Sequence, residues 1–174
     1  MGVTYYTGSA STYIPIATYT TSGSQASYTF SSISGAYTDL VLVANYDSAT
    51  SGNQSLNMRF NGDTATNYSY TILRGSGAAA QSARDSNESR IYCGSSSTGT
   101  TNIASNAIIQ IQNYSNSTTY KTALIRDNNP DYYVFANVGL WRSTVAITSI
   151  TLYQSSYNFI NGTTFALYGI KAAG

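Results

Sequence analysis

The chain has 174 residues, enough for one domain with its own core; 42% are hydrophobic and only 9% charged, where an average soluble domain has about 25%. The absence of His excludes a Ser-His-Asp or Cys-His triad and imidazole metal ligation, and a single Cys, Cys93, cannot build a zinc site or an internal disulfide. A net charge of +1 from eight basic and seven acidic residues gives no electrostatic footprint for nucleic acid.

In chain order, residues 1–16 read as an N-terminal arm, small and polar up to position 11 apart from Tyr5 and Tyr6. From there apolar residues recur with period two, not 3.6: Leu56, Met58 and Phe60 alternate with Asn57, Arg59 and Asn61, and Ile109 and Ile111 with Gln110 and Gln112. Such alternation predicts strands with one buried face. Strands are expected near 12–19, 27–33, 39–46, 55–61, 67–74, 88–93, 105–113, 119–126, 132–142, 146–153 and 163–171, the first overlapping the end of the arm. Asn61-Gly62 and Asn161-Gly162 are the strongest turn signals, because both residue types tolerate positive φ. Asn128-Asn129-Pro130-Asp131 is another turn. Residues 75–104, rich in Gly, Ser, Ala and Asn, read as a long excursion around one strand containing Ile91 and Tyr92; Ala78 to Ala80 could hold one helical turn. No helix is expected otherwise. The sum is an all-β chain: residues 17–174 form a single antiparallel β-sandwich, jelly-roll-like, of about ten strands.

Nothing in the sequence has the apolar run of a secretory leader or of a membrane helix, so a membrane partner is not expected. The six Asn-x-Ser/Thr sequons follow from a composition with 26 Ser, 23 Thr and 15 Asn. No metal or cofactor is expected. Asn61-Gly62-Asp63 reads as a hairpin turn rather than a calcium loop, since the spacing and terminal Glu of an EF-hand are missing. A glycosidase would need two carboxylates facing each other at a cleft, whereas Asp39, Asp63 and Asp131 are explained by turn and strand-end chemistry.

The 17 tyrosines are the main anomaly. Tyrosine fills a sandwich core with its hydroxyl at the edge, anchors protein interfaces, or stacks on sugar rings. Tyr5, Tyr6, Tyr132, Tyr133 and Trp141 are the candidates for contact, with Trp141 expected in the core or at a subunit interface. Arg84 and Arg90 concentrate charge in the excursion, where a planar donor fork suits an interprotein contact. The candidate partner-contact residues are therefore Tyr5, Tyr6, Arg84, Arg90, Tyr132 and Tyr133.

Several stretches carry a family resemblance together: Phe60-Asn61-Gly62-Asp63 with Asn67-Tyr68-Ser69-Tyr70, Ile109 to Asn116, Thr119 to Thr122, Val138-Gly139-Leu140-Trp141-Arg142-Ser143-Thr144, Ile147 to Leu152, and Phe165 to Ala172 with its Leu167-Tyr168-Gly169-Ile170-Lys171. Over about residues 17–172 the chain resembles a family of small β-rich virion structural proteins of tailed bacteriophages, cyanophages included. The resemblance implies a structural role without enzyme activity and supplies no site residues; the arm and the excursion lie outside it. The expectation is a homotrimeric capsid-decorating (cement) protein on the virion surface, made in the host cytoplasm, whose partner is the major capsid protein. The alternative is a tail-fibre module that recognises host surface glycan, and the third reading is a polysaccharide-degrading enzyme.

Overall fold

The computed structural model describes residues 12–48, 54–96 and 103–171. Twelve strands form there: β1 (Tyr13–Thr20), β2 (Ser27–Phe30), β3 (Asp39–Tyr46), β4 (Ser55–Phe60), β5 (Tyr68–Gly75), β6 (Ala80–Glu88), β7 (Ile91–Ser95), β8 (Ser105–Gln112), β9 (Lys121–Asn129), β10 (Tyr133–Trp141), β11 (Ile150–Gln154) and β12 (Thr164–Ile170). They make an eight-stranded sheet in the order β1-β12-β3-β8-β9-β10-β5-β6 and a four-stranded sheet in the order β2-β11-β4-β7, antiparallel throughout. The first five strands alternate between the two sheets of a β-sandwich, whereas β8, β9 and β10 follow one another as neighbours in the larger sheet.

The period-two pattern is realised directly. Along β8 and β9 each buried residue is followed by an exposed one. Leu40, Leu42 and Ala44 of β3, Ile109 and Ile111 of β8, Ile125 of β9 and Phe165 and Leu167 of β12 face the smaller sheet's Leu56, Met58, Phe60, Ile91, Ile150 and Leu152 in one core cluster. Trp141 and Cys93 are buried in it too.

Two readings of the sequence change. Residues 13–16, expected in the arm, belong to β1, whose Tyr13 pairs with Ile170 of β12. The excursion at 75–104 holds an additional strand: β6 folds back on β5, with Arg84 opposite Thr71 and Gln81 opposite Arg74. Nearly all of β6 is exposed, so it needs only backbone pairing and carries no apolar alternation.

The Asn61-Gly62 turn forms with φ of 53° and 66° and is closed by Asp63 N–H donating to Phe60 O at 2.9 Å. It is not a hairpin, because β4 and β5 lie in different sheets; it carries the chain across the sandwich. Asp63 anchors the crossing by accepting from Trp141 Nε1 (2.7 Å), Ala65 N (2.8 Å) and Asn67 Nδ2 (3.0 Å). Burial pushes its carboxyl pKa up, and the three donors outweigh this and hold it below the usual range. Asp63→Ala is therefore expected to cost about 2 kcal/mol, since a charge-assisted acceptor leaves three donors behind. Urea unfolding followed through the only tryptophan checks this; a change under about 0.5 kcal/mol, the range of an unremarkable surface substitution, would contradict it.

Candidate functional site

β7 lies at the edge of the smaller sheet, and its free backbone edge is satisfied by side chains of the larger one. Asp127 Oδ2 accepts from Ser95 N (3.1 Å), Asn129 Nδ2 donates to Ser96 O (2.5 Å), Asn137 Nδ2 to Cys93 O (3.3 Å) and Ser105 Oγ to Ser95 O (3.2 Å). Asp127 also accepts from the buried Tyr46 hydroxyl at 2.7 Å. Burial pushes the Asp127 carboxyl up to about 8, against the two donors that pull it down. Lys121, fully buried at the start of β9, donates from Nζ to Thr119 O (2.8 Å) and Thr144 O (3.0 Å). The contacts of Asp127, Asn129, Asn137 and Ser105 with residues 93–96 tie the two sheets together. Among the described residues no group of three His, Cys, Asp or Glu side chains is placed to hold a metal ion.

The larger sheet presents two surfaces. Its outer face is crossed by two rows of paired residues. One runs Tyr168, Val41, Gln110, Leu124, Val138, Thr71, Arg84, and the next Ala166, Val43, Ile108, Arg126, Ala136, Leu73, Ser82. Val43, Leu73, Ile108, Leu124, Val134 and Val138 are all exposed there, Leu73 and Val134 by 60% and 62%. Leu73, Ile108, Leu124, Val134 and Val138 line two depressions of about 620 and 640 Å³. Scattered exposed aliphatics are ordinary, but a contiguous set on one sheet face marks a contact surface.

The second surface arises because the larger sheet has eight strands and the smaller one four. The inward side of β5 and β6 overhangs β7 and is left open as a flank cleft of about 700 Å³. Register places Arg74 opposite Gln81, Ile72 opposite Ala83 and Tyr70 opposite Asp85, all lining this cleft, with Tyr92, Ser55 and Arg90 across from them. Two aromatic rings of its lining, Tyr70 and Tyr92, pack at 5.9 Å, and a chain of rings continues from them beyond the lining: Tyr92 to Phe135 at 6.0 Å, Phe135 to Tyr133 at 5.3 Å and Tyr133 to Tyr132 at 4.3 Å. The Arg74 guanidinium sits 5.0 Å from the Tyr133 ring centre. Burial and the facing Asp85 carboxylate push the Tyr70 hydroxyl up to about 12. Asp85 is the carboxylate of the cleft lining; Glu88 lies 3.5 Å from Arg90 Nη1.

Of the six residues singled out from the sequence, Tyr5 and Tyr6 lie outside the described residues. Arg90 enters the flank cleft and donates from Nε to Asn57 Oδ1 at 3.0 Å. Tyr133 joins the chain of aromatic rings that leads away from the cleft, and Tyr132, 51% exposed, stands at its end. Arg84 lies on the opposite side of β6, at the margin of the apolar face. Sequence reading missed Tyr70, Arg74, Asp85 and Tyr92 as a group. β6, which carries Asp85 and pairs with the strand of Tyr70 and Arg74, has no apolar period to reveal it. In comparisons with known proteins no family model matches the chain, and neither a curated protein nor a solved structure matches it.

Proposed function

We propose that the chain is a non-enzymatic structural protein of a tailed-phage virion that decorates the capsid as a homotrimer and bridges neighbouring copies of the major capsid protein. The observation that carries this reading is the apolar outer face of the eight-stranded sheet. Leu73, Ile108, Leu124, Val134 and Val138 leave water only if another surface covers them. Aliphatic side chains dominate that face, and Arg126 and Arg84 are the charges in its two central rows. This composition suits burial against protein better than against sugar hydroxyls. The resemblance to β-rich phage virion proteins supplies the setting. An added interface spanning two capsid subunits stabilises the assembled shell by mass action, because it binds the assembled state and not the separate subunits.

Immunogold labelling of intact particles of the encoding phage, with antibody against this chain, tests the placement. Label over the head is the expected result. Label confined to the tail end would transfer the chain to the tail, and unlabelled particles that contain other virion proteins would overturn the reading. Leu124→Glu tests the face itself. A carboxylate in the centre of a buried interface is expected to abolish assembly while the monomer's unfolding midpoint stays unchanged, because Leu124 is 46% exposed in the single chain. Sedimentation and thermal unfolding of the same sample report both quantities. Assembly as in the parent chain would remove the face from the interface.

A further inference from the structure

The flank cleft lies on the other side of the larger sheet from the apolar face and is built differently. Its floor includes the partly exposed Tyr92 ring and Ile72. Its rim carries a carboxylate, two guanidinium groups, a side-chain amide and a hydroxyl: Asp85, Arg74 and Arg90, Gln81, and Ser55. Polar groups of every hydrogen-bonding type thus converge around one aromatic surface. The polar side chains hold each other in place. Arg74 Nε donates to Gln81 Oε1 at 2.8 Å, and Arg90 Nε donates to Asn57 Oδ1 at 3.0 Å. Arg74 therefore keeps its Nη donors for a ligand, and its position over Tyr133 fixes the plane of the fork. Asp85 stands on β6 opposite Tyr70 of β5, so strand pairing fixes the distance between its carboxylate and the aromatic floor.

This set of groups selects a ligand class. A nucleotide or other phosphate would meet the Asp85 carboxylate at close range. A purely apolar ligand would strip water from Asp85, Arg74 and Gln81 without replacing their hydrogen bonds. A pyranose ring fits both demands. Its axial C–H groups cover an aromatic face, and its equatorial hydroxyls donate to a carboxylate and accept from guanidinium and amide N–H groups. The cleft volume of about 700 Å³ falls within the range of small-ligand sites, about 300–1,000 Å³.

We propose that the flank cleft between β5, β6 and β7 is a saccharide-binding site, with a pyranose ring on Tyr92, a vicinal hydroxyl pair on Asp85, and Arg74 and Gln81 donating to its oxygens. This goes beyond the structural role above: Asp85, Tyr92, Ser55 and Arg90 line the cleft and neither depression of the apolar face, while Arg74 and Gln81, at the sheet edge, border both surfaces.

The test uses the full chain in two steps. Saturation-transfer NMR with glucose, galactose, N-acetylglucosamine and glucuronate, each as the free monosaccharide, is followed by an array of bacterial surface polysaccharides. Transfer to at least one probe is expected. Asp85→Asn should weaken that binding about ten-fold or more, the loss expected when a charged acceptor of substrate hydroxyls is replaced. Gln81→Ala should weaken it by less. Arg84→Ala, on the opposite side of the same strand, should leave it unchanged. All three substitutions fall on exposed positions of β6, so the fold is expected to persist, and circular dichroism checks it. Absence of binding to every probe and every arrayed polysaccharide would overturn the proposal. So would binding that Asp85→Asn and Gln81→Ala leave intact. Neither result would bear on assembly through the apolar face, which Leu124→Glu tests separately.

Discussion

Gly139→Ala is expected to destabilise the chain by about 3 kcal/mol, the upper end of the usual cost of overpacking a core. Gly139 lies in the middle of β10, between Ala123 of β9 and Tyr70 of β5, on the side that faces the smaller sheet. An added Cβ would stand 2.5, 2.9 and 3.0 Å from Cγ2, Cδ1 and Cγ1 of Ile91. Ile91 is fully buried and β-branched, so its Cγ2 cannot swing away without leaving its preferred rotamer. The backbone of β7 cannot retreat easily either, because Asp127, Asn137 and Ser105 hold its carbonyl and amide groups. The double variant separates this contact from a general loss of order. Ile91→Ala alone should cost about 2–5 kcal/mol through the cavity it leaves. Combined with Gly139→Ala it should cost at least about 1 kcal/mol less than the sum, since the new methyl then occupies part of that cavity. Urea unfolding of the two single variants and the double gives the coupling. Additive costs, or a Gly139→Ala variant as stable as the parent, would show that the strands are not in contact as described.

The same residues show what a sequence of this kind reveals. The period-two runs located the strands because half of each strand faces the core, as in Ala107, Ile109 and Ile111 of β8. Asn61-Gly62 located a turn because its two positive φ angles need residues that tolerate them. What that turn connects was not legible. Its direction depends on Asp63 meeting Trp141, a partner 78 residues away. β6 was not legible because Ala-Gln-Ser-Ala-Arg-Asp-Ser-Asn-Glu buries nothing and is a strand only by virtue of β5. The flank cleft depends on β6 and was hidden with it. The apolar outer face did leave a trace. Leu40 to Ala44, Ile108-Ile109 and Leu124-Ile125 are apolar at consecutive positions, so their side chains alternate between the core and the outer face: Leu40, Leu42, Ala44, Ile109 and Ile125 inward, Val41, Val43, Ile108 and Leu124 outward. Alternation identifies a half-buried strand, and an unbroken apolar run identifies one that is apolar on both faces.

Stability is expected to fall as pH rises from about 4 to about 8, by an amount on the order of a few kcal/mol, with Asp127 as the cause. In the unfolded chain Asp127 ionises in the ordinary carboxylate range, near 3.8; in the folded chain burial holds its proton to about 8. Below both values the two states bind the same proton and the fold keeps its full stability. Between them the unfolded chain has released the proton and the folded chain has not, so each unit of pH favours unfolding. Above 8 both are ionised and the loss levels off. The groups around Asp127 do not share this window. Burial and the neighbouring Asp127 charge push Tyr46, Tyr92 and Cys93 upward, so all three stay neutral across it. Protonated Asp127 keeps its contact with Tyr46, since the carboxyl can donate across the same 2.7 Å to the tyrosine oxygen. Asp63 works in the opposite sense. Its lowered pKa stabilises the fold above the carboxylate range and is lost as pH falls through it, so stability also declines on the acid side of that range. Asp127→Asn removes the titrating group and retains an acceptor for the Tyr46 hydroxyl. It should flatten the decline between pH 5 and 8, at the cost of a less favourable contact with Ser95 N–H. Urea midpoints of both proteins across this range decide the matter: equal slopes, or a parent chain that does not weaken toward pH 8, would mean that the carboxylate is ionised in the fold and held by its two donors.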